Sequence, residues 1–256
     1  MTTARYRFIN FLLKECSGLN YVLLKYIYDD ILQIPSDEKL EILMDKEDYK
    51  SLLYVISSAR EITHIRSKRN VRSQIVNIKF SDHSSLELKI KIDIERKGIV
   101  LMNSSSVLRS AIVNKQNIKV PAPYHQFEYI LLTGLLNRKD VEEKFRNYFS
   151  TFSFDQRSKI FAHLCPKYKF VLNVLDELYL FTNNNYHKVL NTIKGQKQNR
   201  GWKYAYHKSV FAYDYVISTF TRSWKQVNNQ ATGVEQTTNF SSELNNLLQK
   251  NALIRS

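Results

Sequence analysis

Two carboxylates set the chemical question in this chain: Glu41 within Leu40-Glu-Ile-Leu-Met44, and Asp93 at the end of Leu88-Lys-Ile-Lys-Ile-Asp93. Each sits in a short apolar run interrupted at alternate positions, the pattern of a strand with one buried face. Neighbouring strands that carry acids near their ends could share a hard divalent cation between carboxylate oxygens. Two positions before Glu41, however, stands Lys39. An ammonium there takes the place where a further metal-binding acid would be wanted, so the chain offers the outline of a metal site with one member replaced.

Those side chains need elements to hold them. Phe8, Ile9, Leu12 and Leu13 have the spacing of one helical face, and Ser17-Gly18 ends that helix. Residues 21–26 read as a strand and residues 40–44 as a second, after a loop around Pro35. Asp45 is placed to cap a helix whose apolar stripe is Tyr49, Leu52, Leu53 and Ile56. Residues 74–80 and 85–94 read as antiparallel strands joined by Ser81-Asp-His-Ser84. The second alternates strictly, with Glu87, Lys89, Lys91 and Asp93 on its polar face. After Val120-Pro-Ala-Pro123 the pattern becomes helical, over residues 127–136, 141–149, 157–164, 169–181 and 202–224, with breaks at Asn183-Asn-Asn185 and along residues 194–200. The expected architecture is α/β in the broad, α+β sense: a small mixed sheet over residues 1–118, a helical domain over 119–224, and a polar, mobile tail over 225–256.

Composition narrows the partners without naming one. The formal net charge of +14 and pI near 9.6 attract polyanions such as nucleotide phosphate, nucleic acid or an anionic membrane face. No apolar run approaches the roughly 20 residues of a membrane-spanning helix, and the start lacks the pattern of a secretory signal, so cytoplasmic residence is the expectation. Cys16 and Cys165 lie far apart with no second Cys or His at metal-ligand spacing, which predicts free thiols rather than a disulfide or a zinc site.

At Tyr21-Val-Leu-Leu-Lys25, Leu40-Glu-Ile-Leu-Met44 and Lys91-Ile-Asp-Ile94 the chain resembles divergent bacterial members of the nucleotidyltransferase fold superfamily, the group that includes DNA polymerase beta. The resemblance covers residues 1–150 best and implies a sheet of that type with a helical C-terminal part. Such proteins carry an Asp-x-Asp pair on one strand and a third acid on an adjacent one. Matching those motifs puts Lys39 and Glu41 at the paired positions and Asp93 at the third. By that resemblance Glu41 and Asp93 would be the catalytic and Mg²⁺-holding residues, and Ser36 and Lys39 would contact the phosphates of an NTP. The chain departs from the pattern at Lys39, where charge reversal opposes a second metal ion by roughly 4 kcal/mol per unit charge about 4 Å away. It departs again at Tyr26, where a glycine is expected after the first strand. Three stand-ins for the missing acid stay open: Asp37, Glu38 and Glu87. Lys39 could otherwise pair with Asp93 or Glu41, or bind phosphate as a point charge.

Other signals have plainer accounts. The segment His64-Ile-Arg-Ser-Lys-Arg-Asn-Val-Arg72 reads as a solvated basic loop before it reads as a phosphate contact. Around Trp202, Tyr204 and Tyr206, lysines interleave with aromatics as on a stacking surface, but Trp202, Tyr206, Val210 and Tyr213 also form a single helical stripe. Arg157 and His163 have an Arg-x5-His spacing known from helical ribonucleases, a match of two residues only. His83 is expected in a hairpin loop and His125 at a helix start.

Three functions are consistent with these residues. The first is metal-dependent transfer of a nucleoside monophosphate from an NTP to an acceptor hydroxyl, the acceptor being anionic or a nucleic acid. The second is a catalytically inactive nucleotide-binding or regulatory protein of the same fold. The third is a basic nucleic-acid-binding protein.

Overall fold

The computed structural model describes residues 3–69, 72–169, 176–196, 199 and 200, and the single positions 205, 209 and 212. The expected helix over 202–224, its aromatic stripe and the polar tail fall outside the described residues, those three positions apart.

A mixed sheet forms the first half. Its strands are β1 (Tyr21–Leu23), β2 (Leu40–Met44), β3 (Ile62–Arg69), β4 (Ser73–Phe80) and β5 (Ser85–Lys91), in the order β1-β2-β5-β4-β3. Only the β2–β5 pair is parallel; the other three pairs run antiparallel. The hairpin expected around Ser81-Asp-His-Ser84 joins β4 to β5, with the exposed His83 at φ 66° in its turn. The basic segment from His64 is not a loop. It forms most of edge strand β3, whose exposed His64, Arg66 and Lys68 keep the open edge charged and discourage pairing with another chain.

Alternation along the strands separates two cores. Leu40, Ile42, Met44, Val76, Ile78, Phe80, Leu86, Leu88 and Ile90 face one side, where helices α1 (Ala4–Glu15) and α2 (Tyr49–Ser58) bury Phe8, Ile9, Leu12, Leu52 and Ile56 against them. Asp45 does not cap α2. That helix starts at Tyr49, and the carboxylate of Asp48 instead accepts the backbone N–H of Asn20 at 2.7 Å, tying the helix start to the approach of β1. Arg5, buried on α1, donates to the carbonyls of Ile34, Pro35 and Glu38 at 3.2, 2.7 and 3.2 Å and so holds the β1–β2 loop.

On the other side Val22, Leu24 and Leu43 join a second core with the helical half. The chain reaches it through the hairpin β6 (Ile94–Arg96) and β7 (Ile99–Met102), helix α3 (Ser104–Arg109) and the short ladder β8 (Ile112–Val113) and β9 (Lys119–Val120). Helices α4 (Pro123–Leu136), α5 (Glu143–Ser150), α6 (Phe154–Tyr168), α7 (Asp176–Tyr179) and α8 (Asn183–Gly195) follow. Pro123 opens α4 at a position where a missing N–H costs nothing. A capping box between Ser153 and Gln156 starts α6. The Asn183 run is the first turn of α8, capped by the Thr182 side chain, and not a break. Among the described residues no helix is long and apolar enough to cross a membrane.

Candidate functional site

Glu41 lies on the sheet face that the helical half partly covers, because its strand neighbours Leu40 and Ile42 point into the other core. The parallel register sets Lys89, not Asp93, directly across from it, and Leu43 across from Lys91. Asp93 falls past the end of β5, four positions beyond Lys89, an offset of about 13 Å along the strand at roughly 3.3 Å per residue. Glu41 and Asp93 therefore do not meet on one rung, and each has cationic partners of its own.

Around Glu41 those partners are Lys25, 3.4 Å from one carboxylate oxygen, and Lys91, 3.4 Å from the other. Tyr129 of α4 donates its hydroxyl to Glu41 Oε2 and accepts from the Lys91 ammonium at 2.6 Å. Burial is the largest single influence on the Glu41 carboxyl and pushes its pKa up, but Lys91, Lys25, Lys89 and the Tyr129 hydrogen bond together outweigh it and hold the group to about 2. For Lys91, burial dominates: it brings the ammonium down to about 8 against the support of Glu41. Burial beside the Glu41 charge also raises the Tyr129 phenol well above its ordinary range.

The remaining residues picked out from the sequence disperse. Asp93 accepts from Arg72 at 2.6 Å, and Arg72 also lies 3.5 Å from Glu95. Lys39 pairs with neither Glu41 nor Asp93. Its ammonium, 60% exposed, meets Glu87 at 2.9 Å. Glu38 is engaged by Lys144 of α5, while Asp37 and Ser36 are exposed in the loop held by Arg5. None of the three stand-in acids joins Glu41 in a group of three metal-ligand side chains among the described residues. Arg157 and His163 also serve separate purposes. Six residues on one helix set them about 240° apart; Arg157 donates to the carbonyls of Phe152 and Ser150, and His163 turns to α4.

That second cluster centres on Glu128, which is fully buried on α4. Its Oε2 lies 2.7 Å from His163 Nε2 and 3.7 Å from His125 Nδ1, while Oε1 accepts from Tyr168 and Lys167 of α6. Burial pushes the Glu128 carboxyl up most strongly, yet the imidazoles of His125 and His163 and the Lys167 ammonium outweigh it and hold the pKa well below the carboxylate range. His125 and Glu128 have i, i+3 spacing on one helix, a signal visible in the sequence. His163, 35 residues further on, enters only when α4 packs on α6. Cys16 and Cys165 are both free thiols, the first buried.

No family model, curated protein or solved structure matches this chain. The local chemistry thus rests on the geometry itself: an anion-attracting lysine cluster at the β2–β5 rung, and a His-Glu-His cluster between α4 and α6.

Proposed function

We propose that the protein binds nucleotide phosphate at the β2–β5 rung without Mg²⁺, as an inactive or regulatory relative of the nucleotidyltransferase fold. The observation that carries this reading is the charge around Glu41. Lys25, Lys89 and Lys91 act on one carboxylate, so three positive charges face one negative and leave a surplus of two. A dication is repelled by such a surplus, at roughly 4 kcal/mol for each pair of unit charges about 4 Å apart, and a triphosphate is attracted by it. Lys25 is 22% exposed and Lys89 half-buried, so both can reach a ligand while Tyr129 and Lys91 hold Glu41 from below.

Calorimetric titration with ATP and GTP in EDTA, repeated in Mg²⁺, tests this. Binding is expected in EDTA, weakened at least tenfold by Lys89→Ala. Binding that requires Mg²⁺, with pyrophosphate release in the presence of an acceptor, would instead restore the transferase reading.

A second reading, binding of nucleic acid or another polyanion, is favoured by the uncovered part of the same sheet face. The β3–β4–β5 rungs set Lys68 beside Ile75 and Lys89, Arg66 beside Asn77 and Glu87, and His64 beside Lys79 and Ser85. His64, Arg66, Lys68, Asn77 and Lys79 are all exposed. Phosphate contacts along such a surface give salt-sensitive, sequence-independent affinity.

A further inference from the structure

We propose that His125, Glu128 and His163 form a binding site for one zinc-class divalent metal ion between α4 and α6, separate from the lysine cluster around Glu41. One donor atom from each of the three side chains lies within 4.8 Å of the other two. A tetrahedral ion with ligands at about 2.0–2.1 Å needs donor pairs about 3.3 Å apart. The measured separations from Glu128 Oε2, 2.7 Å to His163 Nε2 and 3.7 Å to His125 Nδ1, bracket that value. Two imidazoles and one carboxylate select an ion of zinc, cobalt or nickel type over Mg²⁺, and three protein ligands leave a fourth position for water.

Two features beyond the cluster itself point to a ligand. His125 is nine-tenths buried, and its Nδ1 is aimed at Glu128 Oε2 from 3.7 Å, close enough to feel the carboxylate charge but beyond hydrogen-bond reach, with no hydrogen bond to any other group. An ion between the two would satisfy it. The neighbours also arrange the donors as outer partners do in metal sites. Tyr168 and Lys167 occupy Glu128 Oε1 and leave Oε2 to the imidazoles, while Ser106 Oγ lies 3.4 Å from His125 Nε2, where it can accept from an Nε2–H in the tautomer that leaves Nδ1 to ligate. The Tyr124 ring packs against both imidazoles, with centroids at 4.6 and 4.8 Å, and fixes their planes. His163 is 25% exposed, which gives an ion and its water a way in. Lys167 opposes the ion by its charge, and its own 29% exposure allows the ammonium to swing to solvent.

The test is titration of the EDTA-treated full chain with Co²⁺, read by its visible d–d absorption, alongside Zn²⁺ titration by calorimetry. One equivalent is expected to bind, with the intense bands of tetrahedral cobalt. His163→Gln and, separately, His125→Gln should each weaken binding at least tenfold and leave ATP affinity unchanged, whereas Lys167→Met should tighten it. Absence of Co²⁺ and Zn²⁺ binding by the wild-type protein overturns the proposal, as does binding that both histidine variants retain. Should the variants misfold, the wild-type protein still decides: a Zn²⁺-induced rise in its melting temperature, blocked by diethylpyrocarbonate modification of accessible histidine, supports the site, and no rise refutes it.

Discussion

Glu128 and Tyr129 are consecutive on α4 yet belong to two different polar clusters. Glu128 faces α6, where His163, Lys167 and Tyr168 surround it, while Tyr129 reaches across to Glu41 on β2. Successive side chains on a helix diverge by about 100°, so one buried helix can serve the sheet with one residue and its helical neighbour with the next. Both clusters solve the same problem: a carboxylate withdrawn from water keeps its charge only when cations and hydroxyl donors replace the lost solvent.

Tyr129→Phe tests the first of these links. The ring stays to fill the core, and only the hydroxyl that joins Lys91 to Glu41 is lost. Hydrogen bonds to charged groups contribute roughly 1.5–3 kcal/mol. A loss of about 2 kcal/mol is expected in urea denaturation, with no change in far-ultraviolet circular dichroism. A variant as stable as the wild type would show that Lys25 and Lys91 alone satisfy Glu41.

Acid should weaken the fold through the same residue. The Glu41 carboxyl falls from its ordinary 4.5 to about 2 in the folded chain, so the unfolded state binds the proton more readily. The resulting stabilisation is complete above pH 4.5 and is lost as the pH drops towards 2. Its size is about 3 kcal/mol from the shift. Glu41→Gln is expected to be less stable at pH 7 and to show a shallower decline across that window in pH-resolved denaturation curves.

Sequence patterning made the strand alternation and most helices legible, because apolar spacing reports which face is buried. Leu86, Leu88 and Ile90 against Glu87, Lys89 and Lys91 located β5 and its polar face, although the alternation continues to Ile94 while the strand ends at Lys91 and the chain bends at Ile92 and Asp93. Edge strand β3 was hidden for the converse reason: an edge exposes so many positions that charged residues outnumber apolar ones, and the run reads as a loop. The partners of Glu41 were hidden more deeply. Which residue of β5 stands opposite it depends on the pairing register, fixed by the fit of Ile42 and Ile90 into the core, and a strand's own letters do not state its offset from a neighbour. The i, i+3 spacing of His125 and Glu128 on α4 is local and readable, but the third member, His163, lies 35 residues on and joins them only through the packing of α4 on α6, which no single helix's letters state.

Restoring the missing acid alone should not restore a metal site. Lys39→Asp replaces a positive charge by a negative one beside Glu87, and the exposed ion pair it breaks is worth under about 1 kcal/mol of stability. Lys25, Lys89 and Lys91 still surround Glu41. No Mg²⁺ binding is therefore expected by calorimetry in this variant, and millimolar affinity gained by Lys39→Asp alone would contradict the charge argument.

Nucleotide affinity should depend on pH on the alkaline side. Lys91 loses its proton near pH 8 in the free protein, and a bound phosphate favours the charged form. Affinity is then greatest below pH 8 and declines above it, by up to about tenfold per pH unit. Titrations between pH 6.5 and 9.5 would show the bend. Lys91→Arg, which stays charged throughout, should flatten it.

The uncovered sheet face allows the nucleotide and polyanion readings to be separated by position. Lys68 and Lys79 lie on β3 and β4, exposed and on the same face as Lys89, but at least two strands away from Glu41. Lys68→Glu combined with Lys79→Glu reverses two charges there and leaves Lys25, Lys89 and Lys91 in place. ATP affinity is expected to change by less than about threefold, since exposed charges about a Debye length away are largely screened at physiological salt. Binding of single-stranded RNA, followed by fluorescence anisotropy from 50 to 200 mM salt, should weaken and lose about 1.4 from its log–log salt slope, at roughly 0.7 per phosphate contact removed. Loss of ATP binding together with RNA binding would mean that one continuous basic surface serves both ligands, and the rung at Glu41 would no longer stand as a separate site.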